Sequence, residues 1–375
     1  MNFIYLDNSA STNVIKPVIE RISECMLSNF ANPSSSHSLG IKSKKIIENA
    51  KKYISDYINS HNNGNIFFTS GATEANNLAI FGSLRNKSLI LTTSIEHASI
   101  LKPINFLKEK NFEIKFLRLN PDGTVNIENF LNSCKSKSES IFVSVALVNN
   151  ETGIIQPIEK ISNIIKKNND KIIFHVDAAQ GLGKIPIDIY KMNVDLLSAS
   201  AHKIHGPKGI GFLYVSKKLK LRPILYGGNQ EMGIRAGTES VELISGFEEA
   251  LKNCKIEMNY NYVKELNLYL RKKIKNLRNI VVNSPENSSP YIINFSVLGI
   301  KSEIMLNFLS SKGIYISAAS ACNKNKKSYV LSSFGLDDKI INSAIRVSFS
   351  KFNTKNEIDV LISEIQNAQE QIIHF

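Results

Sequence analysis

Short apolar runs, each closed by turn residues, recur through the first two thirds of the chain. "NIFFTS" (65–70), "SLILTTS" (88–94), "SIFVSVAL" (140–147), "KIIFHVDA" (171–178) and "VDLLSAS" (194–200) read as strands buried on both faces. Between them "ATEANNLAIFGSL" (72–84) and "IEKISNIIKKNND" (158–170) carry helical patterns. Strands alternating with helices predict a mostly parallel sheet with crossover helices on its faces. Ligands bind such sheets at the carboxyl ends of the strands, so chemistry is sought there.

The pattern changes near residue 250. A helix around 258–278 sets Val263, Leu266, Leu270, Ile274 and Leu277 on one face, and a final helix carries Ile358, Leu361, Ile362, Ile365 and Ile372. Thr354 and Glu357 match a capping box at the start of that final helix. "YIINFSVLG" and "IRVSFS" read as strands between the two helices, which predicts a smaller α+β domain. There is no internal repeat and no low-complexity linker.

Composition narrows the class. The chain has 375 residues, 43% hydrophobic and 21% charged, the balance of an ordinary globular protein. No apolar run approaches the ~18 residues that span a membrane. "MNFIYLDNSAST" lacks the basic and apolar regions of a signal peptide, so a cytoplasmic protein is expected. The formal charge is +13, yet only eight of the 46 basic residues are arginine, and the lysines are scattered over surface-like stretches. That distribution predicts no direct nucleic-acid binding and leaves room for an acidic protein partner.

Four cysteines, at 25, 134, 254 and 322, form no CxxC pair and show no metal-ligand spacing, so separate thiols are expected and no zinc site. Cys322 stands apart in "SAASACNKNKKSYVL" (317–331), which has the periodicity of neither strand nor helix. Taken alone it reads as a small, half-buried hydrophobe. Lys324, Lys326 and Lys327 open the other reading, a thiol held toward its nucleophilic thiolate form.

The strand ends carry a constellation. "FTSGATEANN" places Gly71, Ala72 and Thr73 where a strand turns into a helix, and unpaired backbone N–H groups there can hold a phosphate. "HVDAAQG" places Asp177 just past a strand, and "SASAHKIHGPKGIG" places His202 and Lys203 past the next. Asp177 and Lys203 are one strand–helix–strand step apart and can lie side by side. A Schiff-base lysine beside a carboxylate that keeps a pyridine nitrogen protonated is what pyridoxal 5'-phosphate requires. No P-loop is present, and "GGNQEMG" lacks the strand–turn–helix setting of a dinucleotide fingerprint.

These motifs, with "YLDNSAST", "NPSSSHSLG", "EHAS", "VNNETG", "GGNQEMGIRAGT", "SACNKNKKSYVL" and "IRVSFSKF", resemble in order those of the cysteine desulfurases, class V aminotransferases with the fold type I architecture. The resemblance runs over nearly the whole chain. It implies an α/β fold whose large domain holds pyridoxal 5'-phosphate on a mostly parallel seven-stranded sheet flanked by helices, with a smaller α+β C-terminal domain. The expected division is residues 1–15 as an N-terminal segment packed with the small domain, 16–250 as the large domain and 251–375 as the small domain carrying the cysteine loop.

The resemblance also implies roles. Lys203 carries the cofactor and moves the substrate's Cα proton, Asp177 pairs with the pyridinium nitrogen, Gln180 meets the ring oxygen and His97 stacks on the ring. Asn150 lies near cofactor and substrate. Ala72, Thr73, Ser200 and His202 match phosphate ligands, and Thr238 matches one supplied by a second subunit, which implies a homodimer. Arg346 matches the clamp on the substrate carboxylate, and Asn32 lines the same pocket. Taken singly, His97 would be a solvated histidine, Asn150 a turn residue, Thr238 a cap and Arg346 a surface ion-pair partner.

Cys322 would then take the sulfur of L-cysteine as a persulfide and pass it to an acceptor protein, a tRNA sulfurtransferase or an iron–sulfur scaffold. The chain departs from the family pattern at Met232, where arginine is usual, at Ala319, where glycine is common, and in its short basic loop. The other readings are a selenocysteine lyase or another class V aminotransferase, which would not need Cys322, and a non-catalytic scaffold or RNA-binding homologue, which would not need Lys203 with Asp177.

Overall fold

The computed structural model of the chain describes residues 3–61, 63–85, 88–136, 138–168, 171–318 and 327–372. The first strand, β1 (Ile4–Tyr5), is followed by β2 (Gly64–Thr69), β3 (Ser88–Thr92), β4 (Glu113–Phe116), β5 (Ser140–Ala146), β6 (Ile172–Asp177), β7 (Leu196–Ser200) and β8 (Gly211–Ser216). The last seven form one sheet in the order β2-β8-β7-β6-β5-β3-β4. Only β8 is reversed, running antiparallel to β2 and β7, while the other pairings are parallel. This is the mostly parallel seven-stranded sheet that the sequence leads one to expect.

Alternate residues of each strand serve the two faces, as the period of two requires. Phe174, Val176, Phe212 and Tyr214 join one core with Val18, Ile47, Ile54 and Phe247, from helices Lys16–Ser28, Ser38–Tyr57 and Val241–Lys252. Leu196, Leu213 and Val215 join the opposite core with Leu78, Ala79, Ile100 and Ile104, from helices Ala72–Ser83 and Ala98–Glu109. β4 escapes an apolar-run reading because it is an edge strand, with Glu113, Lys115 and Phe116 exposed. Charge on an edge discourages pairing with other chains.

The C-terminal third adds β9 (Ile280–Val282), β10 (Ile292–Val297), β11 (Ile314–Tyr315), β12 (Ser317–Ala318) and β13 (Ala344–Ser348). Four of these form an antiparallel sheet, β12-β13-β10-β9, covered by helices Ile256–Ile274, Ser302–Ser311 and Lys355–Gln371. The first of those helices starts and stops earlier than its apolar pattern, so Leu277 packs from beyond its end, and Ile372 is the cap of the last helix. Thr354 and Glu357 make both hydrogen bonds of the capping box.

β1 pairs in parallel with β11, and Leu6 lies in the core of the small sheet with Phe295, Ile345 and Leu361. Beyond Leu6 the chain crosses back toward the large sheet. The Ser9 N–H donates to Ser348 Oγ at 2.8 Å and the Thr12 N–H to the His202 carbonyl at 2.9 Å. Residues 7–12 therefore lie between the end of β13 and the turn after β7. Among the described residues no helix is long and apolar enough to cross a membrane.

Candidate active site

A cavity of about 510 Å³ opens at the carboxyl ends of β5, β6 and β7. Adjacent parallel strands bring Asp177, the last residue of β6, and Lys203, in the turn after β7, into its wall. Asp177 is buried and accepts hydrogen bonds from Asn76 Nδ2 at 2.7 Å and the Ala179 N–H at 2.9 Å. Lys203 Nζ donates to the carbonyls of Ser9 at 2.6 Å and Ala10 at 2.8 Å, so the N-terminal segment supplies its seat.

His97 lines the same cavity and caps the helix that follows it. Its Nδ1 accepts the Ser99 N–H at 3.1 Å and lies 2.7 Å from Ser99 Oγ, which itself accepts from Asn76 at 2.8 Å. An accepting Nδ1 puts the proton of the neutral ring on Nε2. Burial lowers the His97 pKa, the Asp177 charge opposes that and the Lys203 charge adds to it. Asn76 thus ties Asp177 to Ser99 and His97 in one buried network.

The other wall suits an anion. Helix Ala72–Ser83 begins at Gly71, whose φ of 155° excludes most side chains, and has no side-chain cap. Gly71, Ala72 and Thr73 line the cavity, with Ser200 and His202 beside them. Glu74, in the same helical turn, is neutralised by Arg235 Nε at 2.8 Å and accepts the Ser70 N–H at 2.8 Å, which removes a repulsive charge. Burial, with Lys203, Lys208 and Lys184 nearby, pushes the His202 pKa down to about 4.

Arg346 projects from β13 and is only 3% exposed, unlike the surface ion-pair partner it resembles when taken alone. Nη2 meets Asp7 at 2.8 Å and Nη1 donates to the Asn150 carbonyl at 3.0 Å, while the buried Nε has no partner. Asn150 and Gln180 also line the cavity. The Gln180 amide donates to the Ser9 carbonyl at 2.8 Å and accepts from Lys184 at 2.9 Å.

Asn32 and Thr238 are exposed and neither lines this chain's cavity. The Asn32 side chain accepts the Ser34 N–H at 2.9 Å in a local turn. The resemblance implies that Thr238 serves a second subunit's cavity. Met232 is exposed, in left-handed backbone beside Glu231, which Lys51 pairs at 2.6 Å. Cys322, Ala319, Lys324 and Lys326 lie outside the described residues.

Sequence reasoning missed Asp7, Asn76, Ser99, Glu96, Glu151 and Lys184. Asn76 left a trace, a polar residue on the apolar face of its helix. Glu96 is fully buried, and burial pushes its pKa up to about 8 against the Thr93 hydrogen bond, with Asp177 adding to the rise. Glu151, also buried, is pushed up to about 7 against the hydrogen bond from Ser328. Tyr329 Oη donates to the Glu96 carbonyl at 2.7 Å, so residues 328 and 329 are both docked on the rim.

The donor set fits pyridoxal 5'-phosphate. A lysine and a carboxylate face one cavity from adjacent strands, an uncapped helix start suits the phosphate, and Ser9, which lines the cavity, has a buried Oγ without a partner. Fold and site together define a fold type I, aminotransferase-like α/β protein.

The chain belongs to the class-V aminotransferase family, in its cysteine desulfurase branch; the aminotransferase class-V pattern matches residues 4–361. It is 41% identical to the cysteine desulfurase IscS of Buchnera aphidicola subsp. Baizongia pistaciae over 97% of this chain and 92% of that one. A solved NifS-like protein superposes with a TM-score of 0.91 at 33% identity, covering 99% of this chain and 100% of that one. A structure of SspA in complex with cysteine superposes with a TM-score of 0.81 at 33% identity, covering 94% of this chain and 100% of that one.

Proposed function

We propose that this protein is a pyridoxal 5'-phosphate-dependent cysteine desulfurase that converts L-cysteine to L-alanine and leaves the sulfur on Cys322. The observation that carries the reading is the pairing of Lys203 and Asp177 at adjacent strand ends, in a cavity that a buried arginine also enters. When bound, the cofactor supplies an electron sink for the negative charge left at Cα by proton loss.

The chain's own residues do the rest. Arg346 presents a guanidinium, with its unpartnered Nε, to the substrate carboxylate. Asp177, ordered by Asn76 and the Ala179 N–H, would pair with the pyridinium. His97, whose pKa is lowered, would offer its ring to the cofactor, and Gln180 would hold the ring oxygen. Gly71, Ala72, Thr73, Ser200 and His202 would receive the phosphate, with Thr238 of a second subunit completing that end, and Asn150 would lie near the substrate.

Lys203 takes the Cα proton. The Cys322 thiolate attacks the substrate sulfur, the carbon–sulfur bond breaks and its electron pair goes to the carbon skeleton, which is protonated to alanine. The products are alanine and a Cys322 persulfide, which a sulfur-acceptor protein, a tRNA sulfurtransferase or an iron–sulfur scaffold, then takes. The reading includes a homodimer, the division at residues 15 and 250, and a cytoplasmic location. Cys25, Cys134 and Cys254 are free thiols, which supports a reducing compartment.

The test is sulfide and alanine production from L-cysteine, with pyridoxal 5'-phosphate and a thiol reductant, in wild type and Cys322→Ala. Production that collapses in the variant while the cofactor's absorbance persists is expected. A variant that makes as much alanine and sulfide as wild type overturns the role of Cys322, and a variant that keeps full activity on an amino donor favours an aminotransferase.

A further inference from the structure

Gln180 is held from behind by a second lysine. Lys184 is only 6% exposed, and its Nζ donates to Gln180 Oε1 at 2.9 Å and sits 5.7 Å from the Tyr291 ring centre. It lines a small cavity of about 30 Å³ behind the main one, and Lys203 lines both. Charge alone makes this a poor place for a lysine. Burial pushes its pKa down to about 7, with the Lys203 and Arg346 charges also lowering it and the Cys254 thiol opposing. His202 and His205 feel its charge in turn, and Lys351 shares the small cavity. Among the described residues no carboxylate contributes to holding it charged.

A side chain kept only to fill this space would be apolar, because an unpaired buried cation is unfavourable. What Lys184 does make is a hydrogen bond that sets the orientation of an amide. With Oε1 turned to Lys184, Nε2 must face the main cavity, where one of its two N–H groups goes to the Ser9 carbonyl. That carbonyl is shared with Lys203 Nζ, so it constrains the amide only in part.

We propose that Lys184 is a positioning residue that fixes the Gln180 amide so that its second N–H is presented to the cofactor's ring oxygen. The proposal rests on the pyridoxal 5'-phosphate reading of the cavity. A donor held at that oxygen favours its negative charge and weakens its hold on the neighbouring imine proton. Loss of Lys184 therefore raises the pH at which the bound cofactor's visible absorbance changes.

The experiment titrates that absorbance in loaded wild type, Lys184→Met, Lys184→Arg, Gln180→Leu and the Gln180→Leu/Lys184→Met double variant, and measures melting of the cofactor-free proteins. Lys184→Met is expected to raise the midpoint by about half a pH unit or more, roughly threefold in proton affinity, without lowering the cofactor-free melting temperature. Lys184→Arg, which keeps a donor, restores it in large part. In the Gln180→Leu background the Lys184→Met effect shrinks to less than half. Lys184→Leu takes the place of Lys184→Met should the latter not fold. An unchanged midpoint, or the full shift persisting without Gln180, overturns the proposal while leaving the cofactor reading intact. A wild type that takes up no pyridoxal 5'-phosphate overturns both.

Discussion

Arg346 joins three parts of the protein through one guanidinium: Asp7 of the N-terminal segment, the Asn150 carbonyl and the cavity it enters. Lysine in its place keeps the charge and loses the fork. Arg346→Lys is therefore predicted to raise KM for L-cysteine about 10- to 100-fold, with a smaller change in kcat, since a hydrogen bond to a charged group contributes roughly 1.5–3 kcal/mol. Steady-state kinetics on the loaded enzyme read this directly, and an unchanged KM would remove Arg346 from the carboxylate site. Asp177→Asn keeps the shape and removes the charge, and a fall in kcat of about 100-fold or more is predicted. Lys203 and Asp177 were legible because strand ends are where the topology concentrates chemistry. Asn76, Ser99 and Lys184 were not, because a buried polar side chain looks in sequence like any polar residue of a helix or turn, and only the fold shows that it faces inward.

The turn between β2 and its helix packs backbone against backbone. A Cβ on Gly211, at the start of β8, would stand 2.5 Å from the Ala199 carbonyl oxygen and 2.7 Å from Gly71 Cα. Neither neighbour is a side chain that can swing aside. Gly211→Ala is predicted to destabilise the fold by about 1–3 kcal/mol, the usual range for overpacking, and to weaken cofactor affinity through the displaced Gly71 turn. Urea unfolding and cofactor titration measure the two effects separately. At the far end of the chain, Thr354→Ala removes the side-chain half of a capping box and should cost about 1 kcal/mol with no change in the cofactor's absorbance. That box was readable from four residues because it is local chemistry. β4 was hidden because an exposed, charged edge strand lacks an apolar run, and the end of helix Ile256–Ile274 was misplaced because Leu277 packs on the core without being helical.

Residues 4–12 tie the small sheet to the large one and carry two of the acceptors for Lys203, so folding and active-site assembly are coupled. Buried titratable groups limit stability on both sides of neutrality. Glu96 and Glu151 have pKa values raised by burial to about 8 and about 7, so their contribution is full below their ordinary value near 4.5 and is lost as the pH rises through 7 and 8. His175, His202 and His205 are pushed down by burial to about 4, so their contribution is full above 6.5 and is lost as the pH falls through 4. Glu96→Gln, which has no proton to lose, should show a smaller fall in melting temperature than wild type between about pH 5 and pH 9. The most direct measurement of the account is a single turnover: loaded enzyme and L-cysteine in equal amounts, no reductant, with alanine quantified and the Cys322 peptide weighed by mass spectrometry. The account predicts about one alanine per active site and a persulfide on Cys322. Alanine formed with Cys322 unmodified, and the sulfur released or carried elsewhere, would contradict it.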